Sequence, residues 1–169
     1  MDGERDHVDR FLEEIRDELP ELDFEVEGIV ERLSGLQRRF RRALEETLSE
    51  FGLSVGEWHV LGALHRSGNR SPGNLAAEFE LSSGAMTNRL DRLEERGLIR
   101  RRPDPDDRRA VRVEPTAAGM RVYERAVGAQ AQKEALIAAA LNEREKRQLN
   151  ALLRRLMVEF ERREGPKKR

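Results

Sequence analysis

The side chains best suited to chemistry in this chain are hydrogen-bonding groups spread along one short segment, with no cluster of acids, bases and nucleophiles. Ser83, Gly84, Ala85, Thr87, Asn88 and Arg89 follow a capping Ser82, and Met86, Leu90 and Leu93 recur among them at i, i+4 and i+7. A helix with that pattern buries its Met/Leu stripe. Ser83, Thr87 and Asp91 then fall on the other side, where Thr, Asn and Arg are the side-chain types that reach base edges in a major groove. Small residues at 83–85 would bring the helix N-terminus, the positive end of its dipole, close to phosphate. Residues 89–112 add nine arginines against six acids. A guanidinium forks onto phosphate or enters a narrow minor groove, although six acids in the same stretch also suit internal pairing on a solvated surface.

Other chemistries are excluded or left without support. With no cysteine, the chain has no disulfide, thiolate metal site, Cys nucleophile or thiol redox sensor. His59 and His65 are six residues apart and do not share a helical face. Nothing resembles an HExxH motif, a hydrolytic triad or a glycine-rich phosphate loop, so no metal, cofactor or enzymatic activity is expected. Trp58, the only tryptophan, is read as core beneath the recognition segment or as the wall of a ligand pocket.

The elements that must position these groups follow from apolar spacing and caps. The 169 residues are 37% hydrophobic and 38% charged, a composition for one globular domain with appended helix. The formal charge of −1 conceals an acidic start: residues 1–31 carry about −10 and the rest about +9. Val8, Phe11, Leu12 and Ile15 predict a short helix before Pro20, within an acidic extension over 1–23. That helix reads as a packing accessory or as a cover for the nucleic-acid-binding face. A long amphipathic helix is expected over 24–51, ended by Gly52. Ser54-Val55-Gly56-Glu57 is a capping box, Ser71-Pro72 an N-cap followed by the first helical position, and Gly97 a stop after the helix over 82–96. The segments 98–102 and 110–113 flank a Pro/Asp-rich turn and predict a charged hairpin. Thr116 opens a helix to about residue 141, Asn142 opens another, and 164–169 form a frayed basic tail. No apolar run approaches the length of a membrane span, and no secretory leader is evident, so a cytoplasmic protein is expected.

The run 90–101, Leu-Asp-Arg-Leu-Glu-Glu-Arg-Gly-Leu-Ile-Arg-Arg, followed by Asp107-Arg108-Arg109-Ala110 and Pro115-Thr116-Ala117-Ala118-Gly119, resembles the recognition helix, wing and following helix of MarR-type transcriptional regulators. The resemblance implies a mainly α fold with a small β-wing. It further implies a homodimer held by its N- and C-terminal helices (24–51 and 117–163), with a winged helix-turn-helix lobe at about 54–116 and the motif itself at 71–96. By the same resemblance, Asp107 braces the wing tip and Arg109, with Arg108 beside it, enters the minor groove. Ser71, Asn74 and Arg92 are expected at phosphates. The implied partner is double-stranded DNA carrying a pseudo-palindromic operator, with half-sites about 10 bp apart. The apolar faces of the outer helices exceed what one small lobe covers, which independently argues for a dimer.

In such regulators a small aromatic or carboxylate effector occupies a cleft between dimer helices and winged lobe. Here that pocket is expected near Arg38, Trp58, His59 and Arg66, and its occupation would relieve repression. The helix ahead of the core is similar to the urate-responsive branch. However, the first 57 residues lack the Trp of that pattern and His59 stands where it has Asp, which argues against urate. The alternative function is a ligand-independent winged-helix architectural or protein-interaction module.

Overall fold

The computed structural model describes residues 5–105 and 110–165. The chain divides into two units, one ending at Ala126 and one beginning at Val127, with the helix α6 (Ala117–Ala138) running through the boundary.

The first unit starts with α1 (His7–Ile15), whose N-cap Asp6 accepts from the amides of Val8 and Asp9 while Asp9 returns a bond to the Asp6 amide. Val8 and Leu12 are buried along α2 (Phe24–Glu50), where Gly28 and Gly35 leave room for Leu12 and His7. Arg32 of α2 bonds both Asp6 and Asp9, fixing the acidic helix to the long one. Helix α1 of the extension therefore lies on α2.

Each following element begins where a local cap dictates. Ser54 and Glu57 exchange bonds at the start of α3 (Val55–Ser67). Ser71 caps α4 (Pro72–Glu78), and Ser82 caps α5 (Ser83–Glu95) by accepting from the Ala85 amide. Between them Val60, Leu61, Leu64, Leu75, Leu90 and Leu93 reach zero exposure and form one core, continued by Ile99 and Val113 of the sheet. Removing a Leu or Val side chain from water contributes about 2 kcal/mol, and this cluster holds the three helices together.

The strands β1 (Ile99–Pro103) and β2 (Val111–Pro115) pair antiparallel, with Arg101 opposite Val113. They begin one residue later than the hydropathy pattern predicts, and β2 continues to Pro115. The residue before α4's cap extends the hairpin: Arg70 and Val113 exchange both backbone bonds. Thr116 donates its hydroxyl to the Gly97 carbonyl and accepts from the Gly119 amide, which seats the start of α6 on the turn after α5. A Cβ at Gly119 would lie 2.0 Å from the Leu98 carbonyl oxygen, so glycine is required by that close approach.

In the second unit α6 ends at Ala138, earlier than the expected residue 141, and 139–141 form a turn. Asn142 and Glu145 make the capping box of α7 (Glu143–Glu164). That helix has no buried residue, and Leu149, Leu152, Leu156, Met157 and Phe160 stand 41–64% exposed.

Candidate nucleic-acid interface

Helix α5 separates its two faces as its sequence requires. Met86, Leu90 and Leu93 enter the core at no more than 1% exposure, whereas Ser83, Gly84, Ala85, Thr87 and Asn88 are exposed. Among the described residues nothing lies within 4 Å of a Cβ built at Gly84, so their packing does not demand glycine there. The exposed surface of the first two turns is thus made of short side chains around an open backbone, with the amide end of a 13-residue helix behind it. Arg92, one turn beyond Asn88, is exposed and has no ion-pair partner among the described residues. Ser71 is spent on capping, accepting from the Asn74 amide at 3.1 Å, and the Asn74 side chain is exposed.

Arg89 behaves differently from its neighbours. Its guanidinium lies against the backbone of Gly56 at the start of α3, so close that a Cβ at Gly56 would fall 2.4 Å from Arg89 Cζ. It faces α3 and His59, away from the exposed stripe.

The hairpin's arginines are mostly paired within the lobe. Arg101 reaches Asp91 Oδ1 at 2.7 Å and Glu94 Oε2 at 2.6 Å, while its own amide donates to Glu94 Oε1 at 2.8 Å. Partial burial works against its charge, but the two carboxylates outweigh that cost and hold the guanidinium above its usual pKa. Arg100 and Arg102 share Glu114, and Arg112 is paired with Asp104. Arg96 turns back from the end of α5 to the carbonyls of Phe51 and Gly52. Among the described residues of 89–112, Arg101 therefore ties the hairpin to α5, Arg100, Arg102 and Arg112 pair within the hairpin, and Arg96 ties α5 to the end of α2. Asp91, placed on the outward side by helical spacing, belongs to this clamp. Sequence patterning offers internal pairing as one reading but does not name the partners, because each lies on another element. The wing-tip residues Asp107, Arg108 and Arg109 lie outside the described residues.

Of the residues expected around an effector, three come together. The Trp58 and His59 ring centroids are 5.4 Å apart, His59 is stacked on Phe79 at 6.1 Å and 11°, and Tyr123 stands 6.1 Å from Trp58. Arg66 lies near His59 and pairs with Glu78. Partial burial first, then the Arg89 and Arg66 guanidiniums, hold the His59 imidazole below its ordinary pKa. Trp58 Nε1 is buried without a hydrogen-bond partner among the described residues. Arg38, exposed on α2, shares no hydrogen bond, ion pair or ring contact with this group among the described residues. A cavity of about 510 Å³ lies elsewhere, along α1 and α2, lined by residues that include Arg16, Phe24, Ile29 and Arg32. Among the described residues, no group of His, Asp and Glu could hold a metal ion, and no helix is long and apolar enough to cross a membrane.

Three helices with a capped, polar-faced third member, followed by a two-stranded hairpin, define a winged helix-turn-helix protein. The MarR family profile matches residues 53–111. The HTH-type transcriptional regulator PecS of Dickeya dadantii is 34% identical over 152 residues, covering 88% of this chain and 92% of PecS. The chain belongs to the MarR family of transcriptional regulators. Among solved structures, a mutant MarR from E. coli superposes with a TM-score of 0.66 at 27% identity, covering 75% of this chain and 94% of that one. A mutant E. coli MarR complexed with operator DNA superposes at 0.62 with 24% identity, covering 84% and 96%.

Proposed function

We propose that this regulator is a cytoplasmic homodimeric repressor that reads a pseudo-palindromic operator through α5 and the wing. A small aromatic or carboxylate ligand would release it. The observation that carries the reading is the exposed face of α5, where Ser83, Gly84, Ala85, Thr87 and Asn88 offer hydrogen bonds and a close backbone to a groove while Met86, Leu90 and Leu93 anchor the helix. Asn74 and Arg92 would meet phosphates, and Arg109, with Arg108 beside it and Asp107 bracing the wing tip, would enter the adjacent minor groove. The operator-bound MarR neighbour is a precedent for the fold in that role.

In this reading the organisation is an extension over 1–23, a lobe over about 54–116, and dimerisation helices over 24–51 and 117–163. The exposed stripes of α2 and α7 support a second copy as their cover. The ring group of Trp58, His59 and Phe79, with Arg66 beside it and a buried indole N–H that lacks an acceptor among the described residues, supports a flat, anionic ligand.

Footprinting on the DNA flanking the protein's own gene, combined with a salt titration, tests the proposal. A single protected pseudo-palindrome and a steep fall of affinity with salt are expected, because each phosphate neutralised releases counterions. Uniform coating or a nearly flat salt dependence would contradict it.

A further inference from the structure

Arg96 occupies the elbow between the long helix α2 and the recognition helix α5. It is the C-cap residue of α5, yet its side chain crosses to residues 44 and 45 positions earlier. Nη1 donates to the Gly52 carbonyl at 2.7 Å, and Nη2 donates to the Phe51 carbonyl at 3.3 Å. Nη1 also stands 3.8 Å from Glu57 Oε2, an oxygen that already accepts from the Ser54 amide and hydroxyl at 2.8 and 2.9 Å. The Glu57 side chain is only 8% exposed. One guanidinium therefore joins the end of α2, the first turn of α3 and the end of α5.

Buried Leu48 and Leu53 and the bond from the Leu53 amide to the Leu48 carbonyl hold the turn after α2, and Arg96 adds its tie to α5. Gly52 is at φ +65°, a conformation that costs glycine little, and the carbonyls of Phe51 and Gly52 lie just past the last turn of α2, where acceptors need external donors. A cation there also complements the negative end of the α2 dipole. Lysine could supply the charge but not the two-pronged donor.

We propose that Arg96 is a positioning residue for operator recognition: it fixes the angle of α5 against α2 and thereby sets the separation of the two recognition helices in the dimer. The inference rests on the dimeric, half-site-reading function proposed above. A small rotation at this elbow displaces α5 relative to the arm that would carry it, so half-site spacing is the property that should respond.

The test uses the full-length protein and synthetic duplexes bearing the pseudo-palindrome that the wild type selects from a random pool, with the half-site separation changed by one base pair in either direction. R96K and R96A are expected to bind the selected duplex about tenfold more weakly, the equivalent of one charge-assisted hydrogen bond. They should also lose most of the wild type's preference for that separation. R92A, which removes a proposed phosphate contact, should weaken all three duplexes alike. An R96K or R96A protein that keeps the full wild-type spacing preference would overturn the assignment alone. A wild type with no spacing preference would overturn the dimeric reading as well. Amide exchange on the free protein supplies a readout without DNA: protection should fall in R96K at 51–54 and at 94–98 together. Loss at 94–98 only would mean that Arg96 merely caps α5, and would overturn its role as a link.

Discussion

In the lobe built by α3, α4, α5 and the hairpin, Val60, Leu61, Leu64, Leu75, Leu90, Leu93 and Val113 are at zero exposure; along α7, Leu149, Leu152, Leu156, Met157 and Phe160 are 41–64% exposed. On α2, Val26, Ile29, Val30, Leu33, Leu36 and Phe40 are likewise 39–50% exposed. Both regions are helical and both carry apolar residues at threes and fours, but only the lobe closes its stripes on one another. The lobe presents polar side chains outward and buries its stripes in one core, to which Leu48 of α2 and Ala126 of α6 also contribute. The long helices present apolar ones, and the proposed second copy is what would cover them.

The largest expected effect breaks the closed side of that contrast. Leu90→Ala opens a cavity where α5 meets the core and should cost about 3 kcal/mol in denaturant unfolding. A loss below about 1 kcal/mol would mean that the lobe core is less closed than its exposures indicate. Next comes the open side. Leu152→Glu should weaken self-association by about 3 kcal/mol, read as monomer in sedimentation, because the charge would be buried without a partner. Secondary structure of the lobe should persist. An unchanged sedimentation coefficient would remove α7 from the dimer interface.

A third change sharpens the comparison within the lobe. Arg101→Ala leaves Asp91 and Glu94 without their shared cation and should cost about 1 kcal/mol, discounted because both acids are partly exposed. Fluctuation of the hairpin against α5 should rise in amide exchange while the core amides of α3 stay protected. The smallest effect is on pH. His59 in the folded lobe sits below its ordinary pKa, so the unfolded chain binds the proton more readily. Stability is therefore full above the ordinary imidazole pKa of about 6.5 and falls as pH drops through the folded value. Melting curves should show this decline, and His59→Gln should flatten it.

How much of this was legible in the sequence follows from the range of each interaction. Capping is local, so Ser54 with Glu57, Ser71 before Pro72, Ser82, and Asn142 with Glu145 could be read as helix starts from four consecutive residues, and each caps a helix in the structure. The Met86, Leu90 and Leu93 stripe was equally legible, because helical periodicity alone decides which side is buried. The arginines were not. Arg101 is seven residues from Glu94 but on another element, Arg96 is 44 from Gly52, and neither partner follows from spacing. Arg89 shows the same limit: its type suits a base or phosphate, but its position beside Leu90 turns it onto Gly56. The Arg70–Val113 bridge adds a third backbone to the hairpin through a residue with no strand pattern around it. Net charge on residues 89–112 suggested an electrostatic surface, whereas most of the arginines described there hold the lobe together.

The measurement that bears most directly on α5 as the reading element is the affinity of Asn88→Ala for the operator and for an unrelated duplex, taken at one salt concentration. Operator binding should weaken by about 1–3 kcal/mol, the worth of one base-edge contact, with affinity for the unrelated duplex unchanged. Wild-type affinity for the operator, or an equal loss on both duplexes, would contradict α5 as the reading element.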